Sequence, residues 1–174
     1  TMKFLGLSAR SALVNMSAMA TTVPTAIHQY AMGGKGSLLK AGRYISVAGK
    51  DYAQYMASKN PVLGKAISAP KLDADERRFL DEEQRLGWDD PQYTRDALEI
   101  TGKVQNVAWN KMMNASMWMF GTTEQWNRGT TMLAAFRLAI KGGATEADAA
   151  EIAKTTSDKA HGVYGRATLP AVAW

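Results

Sequence analysis

The residues from Thr122 to Pro170 constrain the fold most, because helix boundaries are written at both ends of two helix-length runs. Thr122 stands three residues before Gln125, the spacing of a capping box, in which side chains satisfy the orphan N–H groups of a first helical turn. Trp126, Met132, Leu133, Phe136 and Ile140 follow as an inward-facing set, and Gly142-Gly143 supplies the backbone freedom that ends a helix near Lys141. Thr145 then caps a last helix running to about Ala160. Its first turn holds Glu146 and Asp148, where the positive end of the helix dipole favours carboxylates.

The same punctuation recurs upstream. Residues 8–20 read as a short helix with Leu13, Met16 and Ala20 on one edge, limited by Pro24. A second short helix spans Ile27 to Met32 and stops at Gly33-Gly34. A third, over 37–57, carries a broad stripe that includes Leu38, Tyr44, Ile45, Tyr52 and Tyr55. Gly42 and Gly49 weaken it by about 1 kcal/mol each relative to alanine, and glycines seven apart on one face let another helix come close. Asp73 with Glu76 predicts a capping box for a helix over 74–86 that buries Phe79, Leu80 and Leu86, and Gly87 stops it.

Asp90-Pro91 starts a long helix to about Phe120, ~45 Å at ~1.5 Å per residue, with Gly121 as its break. Its second half is apolar on two sides, as expected of a helix sandwiched between neighbours. No alternating β pattern of useful length and no internal repeat occurs. The expectation is an all-α bundle of about five to seven helices, including one long helix near 91–120, as part of a larger chain. Two parts are expected: a basic helical part over 1–70, and a bundle over 71–174 that opens on an acidic connector helix at 73–87.

Composition removes several chemistries. With no cysteine, thiolate nucleophiles, disulfides and cysteine-held zinc are excluded. The two histidines, His28 and His161, lie far apart and outside any ligand spacing, so no metal site and no cofactor are expected. Gly33-Gly34-Lys35-Gly36-Ser37 lacks the spacing of a phosphate-binding loop and follows no strand. No apolar run reaches the length of a membrane span.

The net charge of +5 is unevenly spread: residues 1–70 carry +7, residues 71–99 carry −5 and residues 100–174 carry +3. Lys35, Lys40, Arg43 and Lys50 are the candidates for meeting phosphates, as of DNA, or anionic lipid, although spaced-out bases better suit a solvated face that meets the acidic segment of a neighbouring copy or domain.

Glu124 and Arg128 share a helix face, with Asn127 beside them. The plain reading is an ion pair within one helix. A second reading makes Glu124 the general acid of a muramidase-like hydrolase, in an apolar pocket against Trp126 or Trp118. A third turns both residues inward to pin a neighbouring segment such as Tyr164–Pro170. His161, at a helix C-terminus, is placed where a cation is favoured, but the plain reading is a capping or loop-packing histidine. Trp109, Met113, Met117, Trp118 and Phe120 read first as core, and as the alternative they form a candidate contact surface, since thioethers repack easily.

One ordered set of residues carries a resemblance. It comprises Glu124, Asn127-Arg128, Ala134-Ala135-Phe136, Gly142-Gly143-Ala144-Thr145, Ala149-Ala150, and His161 with Tyr164 before Pro170. Upstream, Ser11-Ala12-Leu13-Val14-Asn15-Met16 and Val23-Pro24 belong to it as well. Together they resemble a helical module of the large polyvalent proteins of phages and conjugative elements, the PLxRFG-type proteins. The PLxRFG motif itself is absent, and Gly165-Arg166-Ala167-Thr168-Leu169 departs from the Asn/Arg-rich approach to the proline.

The resemblance implies a structural, non-enzymatic internal virion (ejection) protein of a tailed phage. Such a protein would be held in the capsid interior or tail region and pass into the host cell envelope after ejection. It would oligomerise with copies of itself, with a ring expected, and meet other virion proteins while the genome is delivered. The alternative is a non-catalytic accessory domain of a large polyvalent phage enzyme.

Overall fold

The computed structural model describes residues 16–89 and 107–161, and every regular element within them is a helix. The chain is all-α, as its helical spacing and caps require. Five α-helices follow in order: α1 (Thr22–Ala26), α2 (Leu38–Ser58), α3 (Ala74–Leu86), α4 (Val107–Lys141) and α5 (Glu146–His161). A π-helical turn, Ile27–Ala31, continues α1, and a short 3-10 turn, Leu63–Lys65, follows α2.

Several boundaries fall where local chemistry puts them. The Ser37 hydroxyl accepts from the Lys40 N–H and opens α2. Asp73 accepts from the Glu76 N–H at 2.8 Å while Glu76 accepts from the Asp73 N–H at 3.2 Å, which closes the capping box of α3. Gly87, at φ 67, takes the left-handed conformation that ends it. The Thr145 hydroxyl accepts from the Asp148 N–H and caps α5.

Other expectations are corrected. The helical residues 16–18 give way to a turn over 19–21 ahead of Pro24, as expected, but Pro24 itself stands in the first turn of a new helix, α1, where its missing N–H is not needed. Gly121 does not break the long helix, and Thr122 does not cap a new one. α4 runs straight through both to Lys141, 35 residues and ~52 Å at ~1.5 Å per residue. The Thr122 hydroxyl bonds back to the Trp118 carbonyl at 2.8 Å, the bond of a mid-helix threonine. Gly121 is buried, and packing on the helix outweighs a propensity deficit of about 1 kcal/mol. Leu86 and Ile140, expected inside, are 45% and 41% exposed. The calls on residues 8–15, on 90–106 and on Tyr164 lie outside the described residues. So do the side chains of Trp109, Met113, Met117 and Phe120.

One core joins these elements. Val23 and Ile27, then Ile45, Tyr52 and Tyr55 of α2, Phe79 and Leu80 of α3, Met132 to Phe136 of α4, and Ala149 and Ala153 of α5 form a single apolar cluster. Phe79 stacks on Phe136 with ring centres 4.4 Å apart and planes 9° from parallel. α2 and α4 approach most closely at two glycines. A Cβ at Gly49 would stand 3.0 Å from the Trp126 ring, whose indole N–H donates to the Gly49 carbonyl at 3.1 Å. A Cβ at Gly129 would overlap the Tyr52 ring. Of the two glycines expected to admit a neighbour, Gly49 does so, and Gly42 has nothing within 4 Å of a Cβ.

Candidate functional site

Three polar groups are built into this core or onto its surface. The first lies at the seam of α4 and α5. Glu124, Asn127, Arg128 and Thr131 recur at helical spacing on α4 and face Ser157, Asp158 and His161 of α5. Arg128 is the largest fully buried side chain, 1% exposed. Its Nε donates to Glu124 Oε1 at 3.3 Å, and its Nη1 stands 3.7 Å from Asp158 Oδ1. Burial pushes the Glu124 carboxyl above its ordinary range, outweighing the pull of the Arg128 charge.

Thr131 donates to the Asn127 carbonyl at 2.8 Å and shares a hydrogen bond of 2.9 Å with His161 Nε2. Burial first, and the Arg128 charge second, push His161 down to about 4, against the pull of the Asn127 carbonyl. His161 is therefore a neutral packing histidine near pH 7. The packing reading holds over a cation at the helix terminus, because desolvation and a buried guanidinium outweigh the helix dipole. The inward turn of Glu124 and Arg128 is found, but among the described residues they pin α5 itself.

The second group joins α2, α3 and α4. Asp89 is 1% exposed and accepts from the Tyr52 hydroxyl and the Gln125 amide, both at 2.8 Å. Glu83 is fully buried, and neither carboxyl oxygen has a hydrogen-bond partner. Burial, and after it the Asp89 charge, push the Glu83 carboxyl well above its ordinary range, favouring its neutral acid form.

Beside this group, Arg137 ties three helices together. It meets Asp51 of α2 at 2.8 Å and Glu76 of α3 at 2.6 Å, and it donates to the Lys71 carbonyl at 3.2 Å. One glutamate thus both caps α3 and anchors α4.

The third feature is the outer face of α2, where Lys40, Arg43 and Lys50 are exposed, with Lys35 on the loop before it. Trp118 is the one contact-surface candidate whose side chain is described, and it is 69% exposed.

Glu83, Asp89, Asp51 and Arg137 were not among the residues singled out by their sequence. A signal did exist. Glu83 falls in phase with Phe79 and Leu80, and Asp51 in phase with Ala48 and Tyr55, so each is a charge at a core position.

The chemistry available at these groups is limited by access. Three open clefts are lined by Leu72, Arg77, Asp81 and Arg85 along α3, by Tyr30 with Asp148, Ile152 and Thr155, and by Tyr52, Met56, Gln125 and Trp126; Glu124 and Glu83 line none of these three. Among the described residues no cluster of three metal-ligating side chains exists.

No protein-family model, curated protein or solved structure matches this chain.

Proposed function

We propose that this chain is a non-enzymatic α-helical module of an internal virion (ejection) protein of a tailed phage. It assembles with copies of itself in a ring and with other virion proteins, in the capsid interior or tail region and then in the host envelope, and it helps the genome through. One observation carries the non-catalytic part of this reading. Of the residues on which the resemblance rests, Glu124, Asn127, Arg128, Ala134, Ala135, Phe136 and Ala149 are buried, and His161 bonds Thr131 beside Arg128. They pack helices against one another, and Glu124 is paired with Arg128 and lines none of the three clefts described above.

Self-association draws support from α4. At ~52 Å it outruns α2, its longest partner at ~31 Å, so no single described helix covers its length. Trp118 lies exposed on it. An exposed aromatic on a long helix suits a contact between copies, and a ring follows when one such interface repeats.

Light scattering on the eluting full chain, with and without detergent, is the test. The reading requires an assembly above the monomer mass under one of the two conditions, reduced by Trp118→Ser; a monomer under both removes it. Glu124→Gln assayed on cell-wall substrate is the companion measurement. Lytic activity in the wild-type chain that the substitution abolishes would put a hydrolase in place of this reading.

A further inference from the structure

The outer face of α2 carries positive charge that no ion pair among the described residues offsets. Lys40, Arg43, Val47 and Lys50 are separated by three, four and three residues and form one strip, ~15 Å long at ~1.5 Å per residue. All four are exposed, and Lys35 extends the strip past the start of the helix. The only acid of α2, Asp51, is turned into the core against Arg137 at 2.8 Å. Elsewhere Lys59 meets Asp81, Arg78 meets Asp75 and Glu146, and Arg85 meets Glu82, whereas Lys65, Lys71 and Lys159 are exposed without an ion pair among the described residues but stand apart from one another along the chain. Lys35, Lys40, Arg43 and Lys50 form no ion pair among the described residues. Two aliphatic side chains stand among them, Leu39 at 77% and Val47 at 57% exposure.

We propose that this face of α2 is a docking surface for an anionic lipid membrane. The helix lies along the surface, its lysine and arginine heads at the level of the lipid phosphates. Leu39 and Val47 enter the boundary between headgroups and acyl chains. The aliphatic pair decides the class of partner. A nucleic-acid backbone would satisfy the cations equally well but would set Leu39 and Val47 against charged phosphates, whereas a bilayer offers them an apolar medium. No helix among the described residues is long and apolar enough to cross a membrane, so the contact is peripheral. The inference stands apart from the virion reading, since it needs neither a ring nor a phage.

Co-sedimentation of the full chain with phosphatidylcholine vesicles, with and without phosphatidylserine, tests it. Binding is expected only to the anionic vesicles and should fall as salt rises. The Lys40→Ser/Arg43→Ser/Lys50→Ser variant should weaken binding about a hundredfold, at roughly fivefold for each base removed. Leu39→Ser/Val47→Ser should weaken vesicle binding while leaving any affinity for duplex DNA unchanged. All five positions are exposed, and circular dichroism melts matching the wild type confirm that the variants fold. Two results overturn the proposal: equal sedimentation of the triple variant and the wild type, or wild-type binding to duplex DNA with none to either vesicle. Failure here would leave self-association standing, because light scattering reads that separately.

Discussion

Tyr52 lays its ring over Gly129, so that a single methyl group at position 129 would overlap ring carbons Cζ and Cε2. The same tyrosine donates its hydroxyl to Asp89 at 2.8 Å, so the ring cannot swing aside without breaking a buried hydrogen bond. α2 and α4 are thus held at a distance set by the absence of a side chain.

Gly129→Ala measures that constraint. On an open helix the change would stabilise by about 1 kcal/mol through propensity. Here overpacking dominates, and a net loss of ~1–3 kcal/mol is expected in urea unfolding. A net gain would show that the two helices separate freely.

Glu83 gives a prediction of opposite sign. Its folded-state pKa is raised by burial, so it contributes stability below the ordinary carboxylate range and loses it as pH rises through the folded value. Glu83→Met removes two buried oxygens that lack partners and should stabilise by ~1–3 kcal/mol near pH 7. The gain should shrink on acidification. A destabilised variant at neutral pH would mean the carboxyl is paired in solution.

His161 governs the acid side. Its value falls from an ordinary 6.5 to about 4 in the folded chain. Above pH 6.5 the ring is neutral both folded and unfolded, and its contribution is fully present. As pH falls from 6.5 towards 4, only the unfolded chain takes up the proton, and stability drops by on the order of 3 kcal/mol. His161→Gln should flatten unfolding free energy across that window. A slope unchanged in the variant would assign the acid sensitivity elsewhere.

Arg137 is the tie whose loss should cost most. Arg137→Met leaves Asp51 buried without its cation, and a loss of ~3–5 kcal/mol is expected from thermal or urea unfolding. Adding Asp51→Asn should recover part of it, because the two positions interact directly. Simple additivity of the two changes would show that the pair is not coupled.

What was legible in the sequence is what short-range chemistry decides. Asp73 with Glu76, Gly87 and Thr145 each act on backbone groups within four residues, and each does in the structure what its spacing predicts. Thr122 with Gln125 has the same spacing and fails. Helix continues on both sides of it, so Thr122 bonds backwards to Trp118 and Gln125 reaches across to Asp89.

The polar groups were partly legible. The pairing of Glu124 with Arg128 follows from a four-residue spacing, whereas its burial does not, because one helix cannot say which neighbour will cover it. Asp158 and Asp89 join their partners only through the fold, at separations of 30 residues or more along the chain.

By itself the sequence determined that the chain is helical, where several helices begin and end, and that its first part is rich in bases. Local hydrogen-bonding and steric preferences suffice for that. Only the tertiary structure decided that α4 passes unbroken through Gly121, that His161 stays neutral, and that Asp51 turns inward and leaves a purely cationic face on α2. Each of these depends on desolvation and packing by elements distant in the chain, and these exceed the fraction of a kcal/mol to about 1 kcal/mol by which local preferences differ.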